Sequence, residues 1–201
     1  MTDPSSNASP GTGQSSSTPD PSLPAWARRQ QDAANPLSDE RMLAFIGPKW
    51  PTYQRKFAPF IEDPSFVPTW NWSAALFQSA WFLYRKLYLA AFTAMLLPGL
   101  AFRLLTGSET QMTVSELQKP ENEGLMLMQI AVGVSSIIAA GGLANWLLFR
   151  RARAAVRLAM AQELPAAETL PWLARVGGIN WVGVALAVAV FIMSAYAALR
   201  A

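Results

Sequence analysis

The side chains best equipped for chemistry in this chain are a run of cations, Arg150, Arg151, Arg153 and Arg157, and a string of carboxylates, Glu109, Glu116, Glu121 and Glu123. Clustered guanidinium groups bind phosphate or carboxylate, so the first group could hold an anionic lipid headgroup or an acidic partner surface, or could simply anchor a helix end at a membrane. The carboxylates stand in a polar stretch with no paired base, which reads as a solvated loop rather than an acid/base couple. The chain has no His and no Cys. The commonest general base and metal ligand are therefore absent, as are thiol nucleophiles, cysteine-bound clusters and imidazole ligands for haem or chlorophyll. No Gly-rich phosphate loop or nucleophile elbow occurs; Gly141-Gly142 and Gly177-Gly178 read as helix ends in apolar surroundings. The expectation is a non-enzyme with no metal and no cofactor.

The elements that carry these groups are apolar helices. Leu125 to Phe149 is an uncharged run ending directly at the arginine cluster. At 1.5 Å per residue such a run crosses a hydrocarbon core of about 30 Å. Leu87–Leu105 and Val176–Leu199 are two further candidates, the first carrying Pro98-Gly99, which predicts a kink. The basic stretch 150–161 should continue the second helix beyond the membrane. The fold class expected is an all-α membrane protein with three transmembrane helices, spanning about 87–105, 125–149 and 176–199 within a domain over 73–201.

Residues 1–36, rich in Ser and Pro, read as a disordered or extended tail with no secretory signal pattern. Residues 37–72 form an amphipathic leader. Ser38 can cap a short helix that ends at Gly47-Pro48, and Tyr53, Phe57, Phe60 and Ile61 fall on one face of a second that Pro64 ends. That face suits the membrane surface or the neighbouring helix. Asn71 or Ser73 can cap the next helix. Trp70, Trp72, Trp81, Tyr84 and Tyr88 read as an interfacial aromatic belt, with Arg85 and Lys86 extending among them to lipid phosphates.

Charge orients the spans. Eight Lys or Arg lie in 1–86 and five in 150–175, against Arg103 and Lys119 in the intervening loop and Arg200 at the end. The positive-inside rule then expects the N-terminus and the 150–175 loop in the cytoplasm, and the C-terminus in the periplasm of a bacterial inner membrane. The formal net charge of +3 is too small to argue for nucleic acid.

WNWSAALFQSAWFLYRKLYLAA, from Trp70 to Ala91, resembles the entry signature of the DUF2628 family of small bacterial membrane proteins of unknown function. GLANWLLFRRARAAV (142–156) is similar to that family's Gly-x-x-Asn-aromatic exit into a basic helix, and RVGGINW (175–181) to its Gly-Gly entry to the last span. FIGPKWPTYQRKFAPF resembles its short helical leader, so the likeness covers about residues 42–195. The family often carries Gly-Pro ahead of the second aromatic group. Here Gln78-Ser79-Ala80 stands there, so the resemblance by itself does not imply a helix break. It implies a small inner-membrane protein and no particular activity.

Within the spans, Asn145, Asn180 and Gln129 are the strongest polar groups, and all lie near span ends, which suits hydrogen bonding between helices or an interface position more than a substrate site. Gly133, Ser136, Ala140 and Ala144 make a small-residue stripe on the second span, and Asn180, Gly183 and Ala187 one on the third. Such faces allow close helix approach. The simpler expectation is that span two packs on span three; the alternative is that one stripe docks a foreign helix. The expected partners are membrane lipids and other integral membrane proteins of a larger complex. The expected role is a non-catalytic accessory subunit of an inner-membrane assembly, with respiratory and photosynthetic complexes as candidate hosts. A small transporter or channel component acting as an oligomer is the alternative.

Overall fold

A computed structural model describes residues 37–62, 65–107 and 119–200. The tail, Pro64, Glu109 and Glu116 lie outside these residues. The elements are α1 (Asp39–Ile46), α2 (Trp50–Glu62), α3 (Trp72–Tyr84), α4 (Tyr88–Thr106), a 3-10 turn (Pro120–Asn122), α5 (Glu123–Ala161), α6 (Ala166–Val176) and α7 (Trp181–Arg200). Among the described residues there is no strand. Three stretches are long and apolar enough to cross a membrane: α4, the helix containing α5, and the α6–α7 region. The expected all-α class with three candidate spans is therefore what the chain adopts.

Helix α5 is the axis. Its 39 residues make a rod of about 58 Å, nearly twice a hydrocarbon core. The basic stretch after Phe149 continues the helix without interruption. Gly141 and Gly142 lie inside it, not at an end as their context suggests, because the flanking Ala, Leu and Asn keep the helical hydrogen-bond ladder intact.

Around its second half gathers the core. Phe57 and Phe60 of α2 each place their rings 5.4 Å from that of Phe149. Tyr53, Phe57 and Phe60 are buried as the stripe requires, and the stripe faces α5. Ile61, expected on the same face, is 49% exposed: at about 100° per residue it stands at the opposite edge of the stripe from Phe60. Met42, Phe45 and Ile46 of α1 and Leu173 of α6 complete the cluster. Acidic Asp39 and Glu40 sit in the first turn of α1, where they oppose the positive end of the helix dipole. Ser38 occupies the N-cap without a side-chain bond.

The third span differs from its expected bounds. α6 ends at Val176, and Gly178, at φ 63°, turns the chain so that its N–H reaches the Phe45 carbonyl at 2.8 Å. The last apolar helix thus begins at Trp181 and runs for 20 residues. α4 continues as helix through Pro98.

The spans do not close into a bundle. α4 packs on α3 and α5, whereas α7 packs on α3. Among the described residues α5 and α7 share no packing face, so the small-residue stripes of spans two and three do not meet. The reason is the intervening α3, whose Leu83 lies 3.6 Å from where a Gly183 Cβ would stand.

α3 itself is bent. Gln78, at φ 38° and ψ −114°, interrupts the helix at the position where the resemblance alone did not imply a break. A side chain in that region is strained by roughly 1 kcal/mol or more, whereas glycine adopts it freely. Gln78→Gly is therefore expected to stabilise the protein by about 1 kcal/mol, seen as a higher thermal midpoint. In a regular helix the same change would cost a similar amount, so a lowered midpoint would show that α3 is straight.

Candidate functional site

Two polar joints hold the helices at the basic end of α5. In the first, the Trp70-Asn71-Trp72 segment docks on the Gly141–Trp146 turn of α5. Asn71 Nδ2 donates to Asn145 Oδ1 at 2.8 Å. Asn145 Nδ2 in turn donates to the Thr69 hydroxyl at 3.1 Å and to the Thr69 carbonyl at 3.2 Å. Asn71 Oδ1 caps α3 by accepting from the Ala74 N–H at 3.2 Å, and the Asn71 N–H donates to the Gly141 carbonyl at 2.9 Å. Asn145 is wholly buried. Two amides inside an apolar seam satisfy each other and the loop carbonyls, as buried polar groups must. Gly141 makes the approach possible, since a Cβ there would stand 2.8 Å from the Trp70 ring. Lys56 adds an Nζ bond to the Trp70 carbonyl at 3.2 Å, and burial lowers its pKa.

The second joint gathers the carboxyl-terminal ends of α1, α3 and α6. Lys86 follows α3 at φ 57°, and the Leu87 N–H closes back on the Phe82 carbonyl at 2.8 Å, a Schellman turn with lysine where glycine is usual. Arg85 Nη1 donates to the Ile46 carbonyl at 3.1 Å, and its guanidinium lies 4.9 Å from the centre of the Tyr53 ring. Arg151 Nη1 donates to the Lys86 carbonyl at 2.6 Å and Nη2 to the Val176 carbonyl at 3.3 Å. Lys86 Nζ donates to the Arg175 carbonyl at 2.8 Å. Carbonyls left open at helix ends, with the negative ends of three dipoles, receive three cations. Among the described residues no carboxylate pairs with them. Burial, and then the neighbouring Arg151 charge, lower the Lys86 pKa.

These placements correct the expected aromatic and basic belt. Arg85 is 5% exposed and turns inward, away from lipid phosphates, because the Ile46 carbonyl and two tyrosine rings receive it. Lys86 also turns to protein carbonyls. Trp81 is buried beside Phe82 and faces the core. Trp70 lies over Gly141, while Trp72 and Tyr88 stand exposed. Tyr84 stacks edge-on with Trp181 at 5.4 Å.

The remaining site residues separate into two groups. Ala140 and Ala144 are buried in the chain's own seam, whereas a Cβ on Gly133 would meet nothing within 4 Å. Ser136 bonds to its own helix at the Val132 carbonyl. Asn180 caps α7 through the Gly183 N–H at 3.0 Å and donates to the Tyr88 hydroxyl at 3.2 Å, so it is a joint residue more than a packing one. Ala187 is half-buried. Arg150 stacks on Trp146 at 4.8 Å and, with Arg153 and Arg157, lines an open groove of about 680 Å³.

Among the described residues no set of three or more metal-ligating His, Cys, Asp or Glu side chains converges. What the arrangement does is join helices, through paired amides and capped carbonyls. The hydrogen bonding between helices expected of Asn145 is present, and what sequence reasoning missed is Asn71 as its partner. The signal was available, since two asparagines, each flanked by tryptophan in apolar surroundings, need partners if buried. No family model, no characterised protein and no solved structure matches this chain.

Proposed function

We propose that this chain is a non-catalytic accessory subunit of a bacterial inner-membrane complex, oriented with its N-terminus and the α5–α6 turn in the cytoplasm and its C-terminus in the periplasm. One observation carries the reading. The chain builds a rigid joint at one end and leaves its apolar spans largely uncovered: 6% of the most apolar α4 stretch is buried within the chain, and 17% for the second span. Held orientation of spans that cover so little of one another suits surfaces destined for other helices. The Gly133 face of α5 and the outer face of α7 are the places where foreign spans would lie. Respiratory and photosynthetic assemblies are the hosts we propose first; in the latter, a chain without His would brace pigment proteins and hold no pigment by imidazole. The likeness to the DUF2628 family is carried as part of this proposal.

The test is extraction of the native membrane in a mild detergent, followed by size separation and mass spectrometry. The expected result is co-migration of the 21.9 kDa chain with other integral proteins at fixed stoichiometry. Recovery only as the free chain or as a ring of its own copies would overturn the reading and favour an oligomeric transporter or channel component.

A further inference from the structure

Between α3, α4 and α5 lies a cleft of about 500 Å³. Its α5 wall is a single helical stripe, Ser136, Ala140, Leu143, Leu147 and Arg151. Opposite it α4 runs from Leu87 to Pro98, and Gln78 and Phe82 of bent α3 close the third side. Leu87 to Pro98 covers eleven helical steps, or about 16 Å, close to one leaflet of a hydrocarbon core some 30 Å thick. The lining is mostly apolar, with Gln78, Tyr88, Thr93 and Ser136 set into it, and its charged group, Arg151, stands at one end. The cleft is therefore shaped like a single extended chain with a cation at its basic-end mouth.

That cation has spare capacity. Arg151 gives one bond from each Nη to a carbonyl, and a guanidinium has five donors. Its Nε, buried without a hydrogen-bond partner, is closed off from the cleft, so the free capacity is the second N–H of each Nη. Lys86 lies beside it, its charge near enough to be felt, and among the described residues no carboxylate balances either. One cation at the mouth of a mostly apolar slot of one-leaflet depth, with no carboxylate beside it among the described residues, suits an amphiphile with an anionic head.

We infer that this cleft seats one acyl chain of an anionic phospholipid from the leaflet at the basic end of α5, with its phosphate on the guanidinium of Arg151. The phosphate oxygens take the donors that the Lys86 and Val176 carbonyls leave free. The acyl chain covers the α4–α5 seam that the protein itself leaves open. The lipid thus acts as a filler between two spans, and its binding does not depend on any protein partner.

The test uses the full chain in nanodiscs of equimolar phosphatidylglycerol and phosphatidylcholine with identical acyl chains, released for native mass spectrometry. The wild type is expected to retain one phospholipid, phosphatidylglycerol over phosphatidylcholine by about fivefold, the equivalent of roughly 1 kcal/mol for one surface cation. Ala139→Phe and Thr93→Phe, both at exposed wall positions, should abolish retention while helicity by circular dichroism stays unchanged. Arg151→Gln should keep a lipid but level the preference. No retained lipid in the wild type, equal retention of the two headgroups, or unchanged retention in folded Ala139→Phe would each overturn the assignment. Should the variants lose helicity, the wild-type competition alone decides.

Discussion

Replacing Asn145 with leucine is expected to cost about 3–4 kcal/mol of stability, although the two side chains share the same branching and heavy-atom count. The substitution removes the acceptor for Asn71 Nδ2, buried in the seam between α3 and α5, and the donor for half-buried Thr69 at its edge. Each buried polar group left without a partner costs roughly 1–3 kcal/mol, and at least two are orphaned. Asn71→Ala should cost a similar amount for a partly different reason: it loses the same pair and also the cap on α3, worth about 1 kcal/mol. The double variant should therefore fall short of additivity by roughly 1–2 kcal/mol, the coupling of residues in one network. Unfolding followed by tryptophan fluorescence in detergent measures all three. An Asn145→Leu protein within about 0.5 kcal/mol of wild type would show that the amides do not hold the joint.

The second large effect is expected at Gly177. A Cβ there would drive into the carbonyl oxygen of Phe45 and stand 2.8 Å from its ring. The obstacle is backbone, and that backbone is fixed because the same carbonyl accepts the Gly178 N–H at 2.8 Å. Gly177→Ala must then separate α1 from α6, with a cost of about 3 kcal/mol, at the upper end for overpacking. Gly141→Ala should be milder, since the atoms it meets belong to the Trp70 ring, which can slide. Gly142→Ala is the control. Nothing lies within 4 Å of its Cβ position, and alanine inside a helix is favoured by up to about 1 kcal/mol. The order of thermal midpoints should be Gly142→Ala at or above wild type, then Gly141→Ala, then Gly177→Ala. A Gly177→Ala protein as stable as the Gly142→Ala control would mean that α1 and α6 are not pressed together at this point.

Local patterns in the chain were enough to read the helices. Apolar run length marks α4 and α5, the Tyr53–Phe57–Phe60 spacing marks the buried face of α2, and Asn71 announces the start of α3. What the pattern does not carry is long-range pairing. Arg85, Lys86 and Arg151 resemble membrane anchors because their neighbours in sequence are aromatic and apolar. Their partners are carbonyls of Ile46, Val176 and Arg175, distant in sequence and unremarkable in type. Any residue has a carbonyl, so no residue type signals that a helix end will need a cation. The bend at Gln78 is hidden for the related reason that a glutamine is a good helix former, so its residue type gives no sign of the non-helical φ and ψ. The Gly177-Gly178 pair was legible as a special place. Its nature, a joint between two helices and not the start of one, depends on Phe45.

A single uninterrupted α5 has a mechanical consequence. Because the rod of about 58 Å has no hinge at the bilayer boundary, its two ends move as a lever. If a change in bilayer thickness tilts the rod by about 10°, within the ordinary range for spanning helices, one tip sweeps about 10 Å relative to the other. The cluster of α1, α2 and α6 clamped to one arm would swing with it, converting a small change of lipid thickness into a displacement as wide as a helix.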